Sequence, residues 1–136
     1  MEEYSFPWPD HEKGYSLFPS EMEDDPLVFF HGTAIGNFDP IISEGFKSGK
    51  ELGGGTDPSY HLESVSYANS SSHSLMHVCN TRDRNGGGVF VVFVVKFPSL
   101  PSAGIRVNQS DIHVFDPRMQ PTILGFCVVP ESYRFV

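Results

Sequence analysis

Residues 27–46 read Leu27-Val28-Phe29-Phe30-His31-Gly32-Thr33-Ala34-Ile35-Gly36-Asn37-Phe38-Asp39-Pro40-Ile41-Ile42-Ser43-Glu44-Gly45-Phe46, and the change of rhythm inside them decides the fold. Leu27 to Phe30 form a short apolar run that suits a buried strand, delivering the chain to His31-Gly32-Thr33. From Asn37 to Glu44 the pattern turns helical. Asp39 is a capping residue, Pro40 fits a first turn, and Gly45 is placed as a left-handed stop, with Phe46 able to pack back on the helix.

Downstream, residues 47–59 carry Gly49, Gly53, Gly54, Gly55 and Pro58 and read as a flexible loop. Val65 to Ala68 reads as a short strand, and Asn69-Ser70-Ser71-Ser72 supplies hydroxyl caps for a helix from about His73 to Cys79. A charged, glycine-rich turn, Thr81 to Gly88, leads into Val89 to Phe97. That run is apolar at both parities, which marks a central strand covered on both faces. After a proline-containing loop, Asp111 to Phe115 and Ile123 to Val129 read as further strands. Several strands with two short helices predict an α+β domain spanning 27–136.

Upstream lies a different composition. Residues 1–26 hold eight acids against Lys13 alone, interleaved with Pro7, Pro9, Pro19 and Pro26, so they are expected to be an extended acidic leader. Phe6, Trp8, Tyr15 and Phe18 are its exceptions and could pin it to the domain. The formal charge of −8 sits almost entirely in this stretch and argues against a general phosphate-backbone binder. Cys79 and Cys127 show no ligand spacing, which predicts two reduced thiols and no zinc. The sequence contains no apolar stretch of membrane-spanning length, so the expectation is an intracellular monomer, cytoplasmic or nuclear, without membrane or metal.

The sixteen residues His31 to Phe46 resemble, without a gap, the first NAD-binding motif of the poly(ADP-ribose) polymerase family: a strand ending in His-Gly-Ser/Thr, then Asn-Phe-x-x-Ile-Leu-Ser-x-Gly-Leu. Tyr67-Ala68-Asn69-Ser70-Ser71-Ser72-His73-Ser74-Leu75-Met76-His77 is similar to the family's Tyr-Phe-Ala stretch and the serine-rich block after it, allowing one deletion. Asp111 to Pro117 is similar to the segment that opens with the family's catalytic glutamate.

The resemblance implies an ADP-ribosyltransferase fold, of the type also seen in diphtheria toxin, with a split antiparallel two-sheet β core, short flanking helices and NAD held between the sheets. It implies a mono-ADP-ribosyltransferase that cleaves the nicotinamide glycosidic bond of NAD, its substrate, and hands ADP-ribose to a protein or nucleic-acid acceptor. Cleavage of that bond passes through an oxocarbenium-like ribose, so the site must orient the leaving group and oppose developing positive charge. By resemblance, His31 bonds the adenosine ribose, Gly32 and Thr33 line the dinucleotide, Ser74 bonds the carboxamide, and Tyr67 stacks near the nicotinamide. Asp111 would supply the carboxylate, so the implied catalytic set is Asp111, His31 and Tyr67. A second register makes Tyr60 the motif tyrosine and Tyr67 the second stacking residue.

The chain departs from the family pattern in four places. Asp111 replaces glutamate and shortens the reach by about 1.5 Å, a misplacement on a scale that costs about a hundredfold in rate. His77 stands where a second stacking tyrosine is expected, and Val65 or Ser66 where a glycine precedes the motif tyrosine. Only Pro98 to Ser110 separates the core strand from the third motif, which favours single transfer over chain elongation. These departures keep open the alternative of a weak or inactive NAD- or ADP-ribose-binding or protein-interaction module. An Asp at a strand start is also a common turn residue, and His113, out of phase with Ile112, reads as solvent-facing.

Overall fold

A computed structural model describes residues 1–52 and 63–135 of the 136-residue chain. The strands are β1 (Glu2–Tyr4), β2 (Val28–Ala34), β3 (Val65–Ala68), β4 (Phe90–Lys96), β5 (Ile105–Val107), β6 (Asp111–Val114) and β7 (Thr122–Val129). The helices are α1 (Ser20–Glu23), α2 (Phe38–Glu44), α3 (Gly49–Leu52) and α4 (Ser71–Arg84), with one 3-10 turn over Ile35–Asn37. The expected α+β class is observed.

The seven strands among the described residues belong to one mixed sheet in the order β1-β7-β4-β2-β3-β6-β5, where two antiparallel sheets were expected. β1 runs parallel to β7, and the other pairings are antiparallel. The sheet is uneven in strength. β2 meets β4 along its whole length, Val28↔Lys96 to Ala34↔Phe90, but meets β3 at the single pair Phe30↔Ala68.

The run expected to be central is central: Phe90 to Val95 are all buried, and alternate side chains feed two cores. One face carries Phe30, Val92 and Val94 against Leu75, Val78 and Cys79 of α4. The other carries Phe29, Val91, Phe93 and Val95 beneath Ile41 and Phe46, and Phe38 stacks on Phe93 at 5.5 Å between ring centres.

α4 is twice the expected length. Ser70 caps it by accepting the His73 N–H at 3.4 Å, and Leu75, Val78, Cys79 and Arg82 recur at helical spacing on the buried face. The charged residues read as a turn are its last turn, where Arg82 and Arg84 oppose the partial negative charge of the helix end.

α2 starts one residue before Asp39, so Asp39 lies in the first turn and does not cap; Asn37 takes the cap position but donates its amide to Thr33 Oγ1 at 2.9 Å. Gly45 ends α2 as expected and takes a positive φ of 83°, but its ψ of −178° makes it an extended exit in place of the left-handed helical turn expected. Its successor Phe46 packs on the rings of His31, Tyr67 and Phe93. The loop read over 47–59 holds α3 in its first part, and its remainder lies outside the described residues. β5 also occupies part of the loop expected between Pro98 and Ser110.

The boundary at residue 26 marks a change in charge but not in packing. β1 extends the sheet, while Leu17 and Phe18 enter the core that contains α4. Glu23 accepts from the Ser71 hydroxyl and backbone N–H, placing a carboxylate on the N-terminus of α4. Cys79 and Cys127 are buried free thiols, and burial pushes the Cys127 thiol up to about 12. Among the described residues no helix is long and apolar enough to cross a membrane.

Candidate functional site

Beyond the single pair Phe30↔Ala68, β2 and β3 part, and His31 occupies the gap. Its Nδ1–H donates to the Ser66 carbonyl at 2.8 Å, a bond that a neighbouring strand would otherwise make. That bond fixes the tautomer, leaving Nε2 as the acceptor of a neutral ring. Burial holds the imidazole below its ordinary pKa against the pull of the Ser66 carbonyl, and His77 adds to the depression.

A cavity of about 510 Å³ opens there, a size that suits a small-molecule ligand. Its floor is Phe30, Gly32 and Ala68. One wall is α4, with His73, Ser74 and His77; the other is a polar strip of Ser64, Ser66, Ser110 and Asp111. Thr33, Asn37 and Lys47 line it near His31.

Gly32 explains why one wall stands where it does. A Cβ there would overlap Val78 Cγ1 and press on the Ser74 carbonyl at 3.3 Å, so only glycine lets α4 lie this close to β2. The close approach brings Ser74, buried, and His77, exposed, to the cleft. Although its edge reaches solvent, partial desolvation of the ring against the protein, with Arg84 nearby, lowers the His77 pKa.

Asp111 begins β6, opposite Ala68. Its Oδ1 accepts from Asn108 Nδ2 at 2.9 Å, and its Oδ2 accepts from Ser66 Oγ at 3.1 Å and lies 3.2 Å from His113 Nε2. Burial resists ionisation here. The Asn108 bond, the His113 ring and the Ser66 bond outweigh it and hold the carboxyl below its ordinary range.

His31, Gly32, Thr33, Ser74, His77 and Asp111 therefore meet at one cavity, although they come from three distant segments. Tyr67 does not line it. Its ring is 5.6 Å from His31 but only 1% exposed, wedged among Phe46, Phe97 and His31. The reason is parity: Tyr67 packs in the same core as Val65 and Ile112, whereas Ser64, Ser66 and Ala68 line the cleft, which Val65 also borders at its end of the strand. Tyr67 thus backs His31 in place of the expected stacking surface, and burial raises its phenol pKa. Tyr60, the motif tyrosine of the other register, lies outside the described residues.

Sequence reasoning missed Ser64, Ser66, Asn108 and Lys47, and it misread His113. That ring does not simply face solvent: its side chain is 18% exposed and sits between Asp111 and Ser64 Oγ, 3.0 Å from Nδ1. Period-two spacing, Ser64/Ser66 and Asp111/His113, was the available signal. Among the described residues no group of three or more His, Cys, Asp or Glu side chains is arranged to hold a metal. No family model matches the chain, and neither does any curated protein or solved structure.

Proposed function

We propose that this protein binds NAD in the cleft between α4 and the β3–β6 strip, and transfers a single ADP-ribose from it to an acceptor. The observation that carries the reading is the convergence of six motif residues, picked from sequence alone, on one cavity. The one-pair join of β2 to β3 supports it as well, since a sheet nearly parted at the site approaches the split core that the family resemblance implies.

In this reading His31 Nε2 accepts from the adenosine ribose, and Ser74 with the Gly32 backbone reads the carboxamide. Asp111, kept ionised, opposes the positive charge of the oxocarbenium-like ribose. Incubation with adenylate-labelled NAD is expected to release nicotinamide and label a macromolecule. His31→Ala should reduce both by at least about a hundredfold while circular dichroism stays native, an effect the size expected for removing a positioning contact. Inertness of the unmodified chain at high concentration would remove the enzyme reading.

A second reading, an NAD- or ADP-ribose-binding module without turnover, is favoured by two observations: Asp111 is already engaged by three protein groups, and Tyr67 is withdrawn into the core. Calorimetry separates the two, because a binding isotherm without nicotinamide release selects the module.

A further inference from the structure

Ser64, His113 and Asp111 form a continuous hydrogen-bonded chain at the edge of the cleft. Ser64 Oγ lies 3.0 Å from His113 Nδ1, and His113 Nε2 lies 3.2 Å from Asp111 Oδ2. The protons in this chain have a defined order. An ionised carboxylate only accepts, so in the neutral imidazole the proton sits on Nε2, and Nδ1 is left to accept the Ser64 hydroxyl. This is the arrangement that activates a serine: a nucleophile on a base whose tautomer is fixed by an acid, recognised by roles and geometry and not by chain order.

Ser66 also reaches this carboxylate, but its hydroxyl proton points at Asp111 itself, a weak base because its pKa is depressed. Imidazole is the side chain suited to taking a proton near neutral pH. Ser64 is 7% exposed and contributes to the cavity wall beside Ser66 and Asp111, so the residue is shielded from bulk water yet borders the space proposed for the dinucleotide.

We infer that Ser64 is an acceptor of the ADP-ribosyl group, so that the protein modifies itself within its own cleft. This rests on the transferase reading above. In the step, Ser64 Oγ forms a bond to the ribosyl C1. The C1–N bond to the pyridinium breaks, and its electron pair leaves with nicotinamide, which becomes neutral. The hydroxyl proton passes to His113 Nδ1, giving an imidazolium beside the Asp111 carboxylate that afterwards returns its proton to solvent. The product is an O-linked ADP-ribosyl serine on one wall of the cleft, where it blocks the cavity and limits the reaction to one event per chain.

The test is incubation of the full chain with NAD, followed by nicotinamide assay, intact mass and peptide mapping. Expected are one ADP-ribosyl group per chain, on the peptide bearing Ser64, and a first-order rate constant independent of protein concentration. Ser64→Ala should abolish the adduct and Ser64→Thr should restore part of it. His113→Gln should slow its formation by about a hundredfold or more, the effect of losing a general base. Mapping on the unmodified chain decides the matter even if a variant fails to fold. An adduct elsewhere, a rate constant that rises with protein concentration, or nicotinamide release with no adduct overturns the serine assignment and leaves the transferase reading standing. Absence of nicotinamide release overturns both.

Discussion

The two edges of β2 are made by the same seven residues and have opposite characters. Toward β4 every residue from Val28 to Ala34 is paired, and the neighbouring strand is buried from Phe90 to Val95. Toward β3 the pairing is one residue long, and a histidine ring completes the hydrogen bonding that backbone does not. The first edge is dry because both of its faces are covered by apolar side chains. The second is polar because Ser64, just before β3, Ser66 of β3 and Asp111 of β6 line the cleft beside α4. Stability and chemistry are therefore divided along a single strand: the paired edge holds the fold, and the parted edge makes the cavity.

The largest effect that would break this division belongs to the paired edge. Phe93 is 0% exposed and contacts the rings of Phe38 and Phe46, so Phe93→Ala should lose about 3–5 kcal/mol, read as the shift in urea midpoint. A loss below about 1 kcal/mol would mean that the β4 face is not the core. Next is Gly32→Ala, which tests the seam between the two edges. The added methyl meets Val78 and pushes α4 away, and overpacking of this kind costs about 1–3 kcal/mol. Nicotinamide release should fall disproportionately, since Ser74 and His77 ride on the displaced helix. An unchanged activity with reduced stability would separate α4 from the site.

The smallest expected effect is on pH dependence, and it belongs to the parted edge. His31 is depressed below its ordinary value of 6.5, so the unfolded chain takes up a proton that the folded site refuses. Stability should therefore fall as pH drops below about 6.5, down to the lowered value of His31, and His77 contributes with the same sign. Asp111, also depressed, contributes stability that is present above its ordinary value of 3.8 and is lost as pH falls through its lowered one. Urea midpoints measured from pH 8 down to about 2 should decline on the acid side, and His31→Gln should flatten the upper part of the decline. A midpoint that rises on acidification would contradict a neutral, desolvated His31.

Much of the paired edge was legible in the sequence. Val89 to Phe97 announces a buried central strand by its composition, and Gly45 announces the end of α2 by where it stands. The leader was harder to read: Phe18 was legible as a pin and does enter the core, but acids and prolines disguise Leu17 and the strand Glu2–Tyr4 as solvated chain. The end of α4 was obscured in the same way by Arg82 and Arg84, whose charge suits a helix terminus as well as it suits a turn.

By itself the sequence determined the elements that follow from local periodicity and capping, together with the identity of six residues that would share a site. Tertiary structure alone decided that the strands form one sheet, that Tyr67 turns into the core, and that Ser64, His113 and Asp111 join in one chain. The physical reason is register. A strand's own residues fix which of them alternate, but which face meets which neighbour depends on pairing with strands about 40 to 50 residues away, and a slip of one residue would put Tyr67 at the cleft in place of Ser66.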